Sequence, residues 1–145
     1  EALGRPMSPF GLLALVGPAV AYHVSETMHA AFPDRFYVSA NLKRIVDSGR
    51  TTFDADTAAL LEQGSTPSTQ EQVLARVVDA LADETRRMLD EGVVAEAQDI
   101  DLCMITGAGW PFWLGGITPY LDRSGAAERV TGRRFLPRGV ASVPA

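Results

Sequence analysis

The chain has 145 residues, 46% of them hydrophobic and 21% charged, with a mean hydropathy of +0.04. That is length for one ordinary domain or two small ones, and a globular composition that excludes fibrous, collagen-like and low-complexity readings. Thirteen Lys and Arg against 18 Asp and Glu leave a formal charge of −5, which gives no support to a nucleic-acid-binding surface.

Helical periodicity dominates and strand-like alternation is nearly absent, so an all-α fold is expected. The chain opens on Glu1 without a Met start or a signal pattern, with an apolar segment under way by Leu3, and reads as part of something longer. Pro9 behind Ser8 predicts a short helix ending at Gly17, and Pro18 opens a second helix to about Ala31. The apolar run from Phe10 to Tyr22 is too short, and too broken by Gly11, Gly17 and Pro18, to span a membrane. Phe32-Pro33-Asp34 breaks the second helix, Ser39 caps a third through Asp47, and Ser48 to Thr52 reads as loop. Asp54 caps a brief helix carrying Ala58, Leu60 and Leu61. Gly64-Ser65-Thr66-Pro67-Ser68 is the most linker-like stretch and divides the chain into 1–64 and 65–145.

Ser68 and Glu71 stand at capping-box spacing ahead of a long helix that runs to Glu91 and stops at Gly92. Its apolar positions, Val73, Leu74, Val77, Val78, Leu81, Met88 and Leu89, recur at a helical period opposite Arg76, Asp79, Asp83, Arg86, Arg87 and Asp90, so one side faces a core. A helix from about Ala97 to Ile105 places Ile100, Leu102, Cys103 and Ile105 on an apolar face, which makes Cys103 a buried, inert thiol. As the sole cysteine it forms no internal disulfide and fits a reducing, cytoplasmic compartment. Gly107 to Gly116 reads as a shaped loop whose Trp110, Phe112 and Trp113 join Tyr120 in core packing, with a domain or subunit interface as the alternative. Helices from about Ile117 to Ser124 and Ala126 to Val130 follow, then a tail with Pro137 and Pro144. Arg129, Arg133, Arg134 and Arg138 read as a solvated or docking terminus rather than a site for coenzyme A phosphates.

His23, Glu26 and His29 share a helix, and Glu26-x-x-His29 is the unit of di-iron bundles. Such a site needs a second Glu-x-x-His, which the sequence lacks, so these residues are structural or surface residues and no metal is expected. A weak internal echo is present. Gly4-Arg5-Pro6 leads into Leu12 to Gly17 as Gly109-Trp110-Pro111 leads into Tyr120 to Gly125, which suggests two related helical units with the first truncated at its front.

Three groups of residues carry a family resemblance: Glu91-Gly92-Val93-Val94, Asp99-Ile100-Asp101 and Gly107-Ala108-Gly109-Trp110-Pro111 with Gly115-Gly116 and Tyr120-Leu121-Asp122. Together they resemble the C-terminal helical domain of the 3-hydroxyacyl-CoA dehydrogenases, of the 6-phosphogluconate dehydrogenase C-terminal-like fold. Arg5 to Gly17 is similar to the end of another copy, and Phe32 to Phe36 with Leu42 to Val46 to the stretch joining copies. Tandem copies, one partial and one complete, imply the multifunctional fatty-acid-oxidation enzymes or alpha subunits, with an enoyl-CoA hydratase domain, a Rossmann domain that binds NAD, and a thiolase subunit as partner. The resemblance implies hydride transfer from an L-3-hydroxyacyl-CoA to NAD in beta-oxidation, with the catalytic His-Glu pair in the Rossmann domain. This chain has no G-x-G-x-x-G after a strand, so neither catalytic nor cofactor-binding residues are expected in it. The family's Asn-Arg near the substrate is replaced by Ala75-Arg76, and its G-x-G-F-Y segment is missing where Ser48-Gly49-Arg50 runs into Thr51-Thr52-Phe53-Asp54. Met7, Ser8, Pro9 and Phe10 are the residues the resemblance puts near the acyl-CoA path. The expectation is a chain inactive by itself that supports the acyl-CoA cleft; a free-standing helical interaction module is the alternative.

Overall fold

The computed structural model describes residues 7–140; the Gly4-Arg5-Pro6 limb of the internal echo and Pro144 lie outside the described residues. Every regular element among the described residues is helical. Two compact units divide at Pro67 and Ser68.

In the unit Met7–Pro67, α1 spans Pro9–Val16, with Pro9 in its first turn and the Ser8 hydroxyl accepting the Gly11 N–H at 3.0 Å. Gly17, at φ 96°, ends α1 and lets α2, Pro18–Ala31, begin at once. Ser39 caps α3, Ala40–Asp47, by accepting the Leu42 N–H at 3.3 Å. Asp54 caps α4, Ala55–Ala59, by accepting from the Thr57 N–H at 2.8 Å and its hydroxyl at 3.1 Å. Helix α2 packs on both α1 and α3. The chain after α4 is tied back to α3 by a reciprocal pair, Asn41 Nδ2 donating to the Glu62 carbonyl at 3.0 Å and the Glu62 N–H donating to Asn41 Oδ1 at 2.9 Å. The interior is small: Pro18, Ile45 and Thr57 are the buried residues described in this unit.

In the unit that begins at Ser68, α5 spans Gln70–Asp90 and is capped by Thr69 and Gln72, one residue beyond the expected Ser68 and Glu71. Both pairs have the capping-box spacing. The Thr69 hydroxyl accepts the Gln72 N–H at 3.2 Å and the Gln72 side chain accepts the Thr69 N–H at 2.9 Å, while Ser68 Oγ accepts from Arg76 instead. Then come α6, Ala97–Thr106, a 3₁₀ turn, Phe112–Leu114, inside the glycine-rich loop, α7, Ile117–Arg123, and α8, Ala126–Thr131. Helix α5 packs on α7 and α8, and α7 bridges to α6. The core holds Val78, Ala82, Ile100, Trp110, Ile117, Leu121, Ala126 and Ala127. Ala82 on α5 and Ala126 and Ala127 on α8 are fully buried, and side chains this small let helix axes approach closely.

The wheel of α5 turns differently from the apolar list read in the sequence. At roughly 100° per residue, Leu74, Val78, Ala82, Thr85 and Leu89 share one stripe. Val73 and Val77 fall at or beyond its edge and are exposed, whereas Thr85 is buried.

Candidate functional site

The entry to α1 holds the four residues singled out for the substrate path. Ser8 has extended backbone and its hydroxyl is committed to the cap. Met7 folds back over Gly11, where a methyl group would lie 3.0 Å from Met7 Cγ. Pro9 sets the first turn, and Phe10 lies against Phe53 with ring centroids 5.2 Å apart. Met7 and Phe10 are both exposed, as are Leu12, Leu15 and Val16 behind them. The four residues carry no acid or base; this surface offers apolar contact and shape, not proton transfer.

The most organised polar groups belong to the second unit. Asp101, on α6, accepts the Thr118 N–H at 2.8 Å and the Thr118 hydroxyl at 2.6 Å, so a carboxylate from another helix caps α7. Half-burial pushes its carboxyl above the usual range, an effect that the bonds from Thr118 and Ile117 offset only in part. Gly116 makes room for it: at φ 104°, a Cβ there would stand 2.6 Å from Asp101 Cγ. Asp122, on α7, accepts the Phe135 and Leu136 N–H groups at 2.9 and 3.0 Å, with Arg134 Nη2 at 3.5 Å. Arg86 stacks 4.4 Å over the Phe135 ring and donates to the Arg134 carbonyl. Burial pulls the Arg86 guanidinium below its ordinary value. Asp101 and Asp122 belong to motifs that assign them no role in the sequence. The available signal was position: each stands among core residues, where an unpaired carboxylate is costly.

Several expectations need correction. Cys103 is exposed. On α6 the residues Ala97, Ile100, Asp101 and Met104 fall within an arc of roughly 100°, with Cys103 beyond its edge and Leu102 nearly opposite. The aromatic cluster divides. Trp110 is buried edge-on to Tyr120 at 5.4 Å, but Phe112 and Trp113 pair with each other at 5.3 Å while remaining 72% and 62% exposed, outside the core. The tail arginines need no such correction, since they stay partly solvated while lying back on their own unit: Arg129 pairs with Asp79, Arg133 with Asp90 at 2.6 Å, and Arg134 approaches Asp122, while Arg138 is exposed.

His23 stands 3.9 Å from Glu26, whereas His29 Nδ1 lies 2.6 Å from the Phe36 carbonyl and so tacks the turn after α2 onto that helix. No three His, Cys, Asp or Glu side chains cluster as a metal site among the described residues. Gly107 caps the C-terminal end of α6, where carbonyl groups point outward. That is the wrong end of a helix for a pyrophosphate, so the Gly107-Ala108-Gly109 segment does not fit a dinucleotide. Ala75 is exposed on the second turn of α5. No helix among the described residues is long and apolar enough to cross a membrane.

Comparison with known proteins agrees with the motifs. Residues 1–59 match the family model of the 3-hydroxyacyl-CoA dehydrogenase C-terminal domain. Over 154 aligned residues, covering 88% of the chain, it is 29% identical to the fatty acid oxidation complex subunit alpha of Acinetobacter baumannii (strain SDF). Over 157 residues, covering 90% of the chain, it is 28% identical to the protein of the same name from Acinetobacter baylyi. The chain spans 22% of the length of each of these relatives. The resemblance read from the sequence is thereby shown, and the all-helical architecture is consistent with it. Both alignments are longer than the 145-residue chain itself, so within the aligned stretch the relatives carry residues that this chain lacks.

Proposed function

We propose that this chain is the C-terminal helical part of an NAD-dependent L-3-hydroxyacyl-CoA dehydrogenase of the multifunctional fatty-acid-oxidation alpha-subunit type, cytoplasmic, and that its work is to support the acyl-CoA cleft and pack the enzyme's domains. Met7–Pro67 is the end of one helical domain and the unit from Ser68 a second, related one. The family match stops at residue 59, so the second copy rests on its motifs and on alignments that cover 88–90% of the chain. Hydride transfer and NAD binding belong to a Rossmann domain elsewhere in the enzyme, beside a hydratase domain and with a thiolase subunit as partner. Met7, Ser8, Pro9 and Phe10 border the acyl-CoA path.

One observation carries the packing role. Helix α1 is built from Pro, Phe, Gly, Leu, Ala and Val alone, and none of its residues is buried. A helix apolar on every side is ordinarily an interior element, so its natural state is covered. The direct test is an NADH assay on the purified chain with a 3-hydroxyacyl-CoA and NAD. No NADH is expected; production of NADH would show that the chemistry lies in this chain and would overturn the proposal. Size-exclusion chromatography separates the competing reading, in which a free-standing interaction module elutes as a stable monomer or dimer and ignores the remaining enzyme domains.

A further inference from the structure

We draw no further inference here: the strongest candidate, the exposed apolar surface on α1 and α2 that includes Phe10, Leu15, Val20 and Val24, already belongs to the packing role proposed above, and nothing in the structure shows what else covers it.

Discussion

Asp101, Thr118 and Gly116 form one device, because the carboxylate reaches the start of α7 only where residue 116 has no side chain. Gly116→Ala meets both a backbone that favours glycine and a carboxylate in the way, so a loss of at least about 2 kcal/mol is expected. Gly64→Ala is the control, since its added methyl meets nothing within 4 Å. Equal thermal denaturation of the two variants would remove Gly116 from this role.

Asp101→Ala should cost about 1–3 kcal/mol by leaving the Thr118 N–H without its acceptor. Asp101→Asn keeps an acceptor for that N–H and offers a donor to the hydroxyl, so its loss should be smaller. The pH dependence follows from the raised carboxyl of Asp101. The folded chain holds this proton more tightly than the unfolded one. The group's stabilising contribution is therefore present in full below the unfolded value of 3.8 and is lost as pH rises through the folded value. The amide does not titrate, so the stability of Asp101→Asn relative to the parent should rise from about pH 4 upward and then level off. A relative stability that falls over that range would contradict the assignment. Asp54 has the opposite sign: bonds from Thr57 hold its carboxyl below the usual range, so its contribution is present above 3.8 and fades as acid reaches the folded value.

At the scale of elements, the stretch after α8 is part of the fold rather than a loose tail. Asp122 is buried and accepts two consecutive backbone N–H groups from it, Leu136 is buried, and Arg86 covers Phe135. Asp122→Ala strands both N–H groups and should cost about 2–4 kcal/mol. It should also open the chain to trypsin at Arg133 and Arg134 in a limited-digestion time course. Unchanged digestion would mean that the segment is held by its apolar contacts alone. Arg134→Ala should be milder, because its guanidinium is partly solvated and 3.5 Å from Asp122. In the internal echo, Ala14 stands where the second block has Asp122, so a carboxylate clamp of this kind has no counterpart on α1.

Elements of this kind were readable to different depths. Caps are local, and Ser8, Ser39 and Asp54 each bond the N–H three residues on, as their positions predict. The phase of a helix is not local. Thr85 and Ala82 line the α5 seam because α7 and α8 pack there, and a list of apolar residues alone assigns Val73 and Val77 to it. Phe112 and Trp113 escape for a related reason. The 3₁₀ turn places both outside a core that Trp110 and Leu121 already fill, a choice that composition does not encode. Asp101 meets Thr118 across 17 residues of sequence, a distance at which no motif spacing announces a hydrogen bond.

At the scale of the whole molecule, burial is uneven. The unit from Ser68 closes over a continuous core, whereas Met7–Pro67 buries three residues and exposes much of α1 and α2. Leu15 tests what this means, because it is 72% exposed. In the purified 145-residue chain, Leu15→Ser should change stability by no more than about 0.5 kcal/mol. In a full-length dehydrogenase that contains this chain, where the proposed packing covers α1, the same substitution should cost about 2 kcal/mol or more, the scale of truncating a buried leucine. If the proposal holds, its dehydrogenase activity should fall at temperatures the parent tolerates, while the NADH-forming site, which the proposal places in another domain, keeps its affinity for NAD. Thermal denaturation of both pairs of proteins decides the matter. A small effect in both contexts would leave α1 uncovered in the enzyme and refute the packing role, and a weakened affinity for NAD would place α1 beside the cofactor instead of the domain junction.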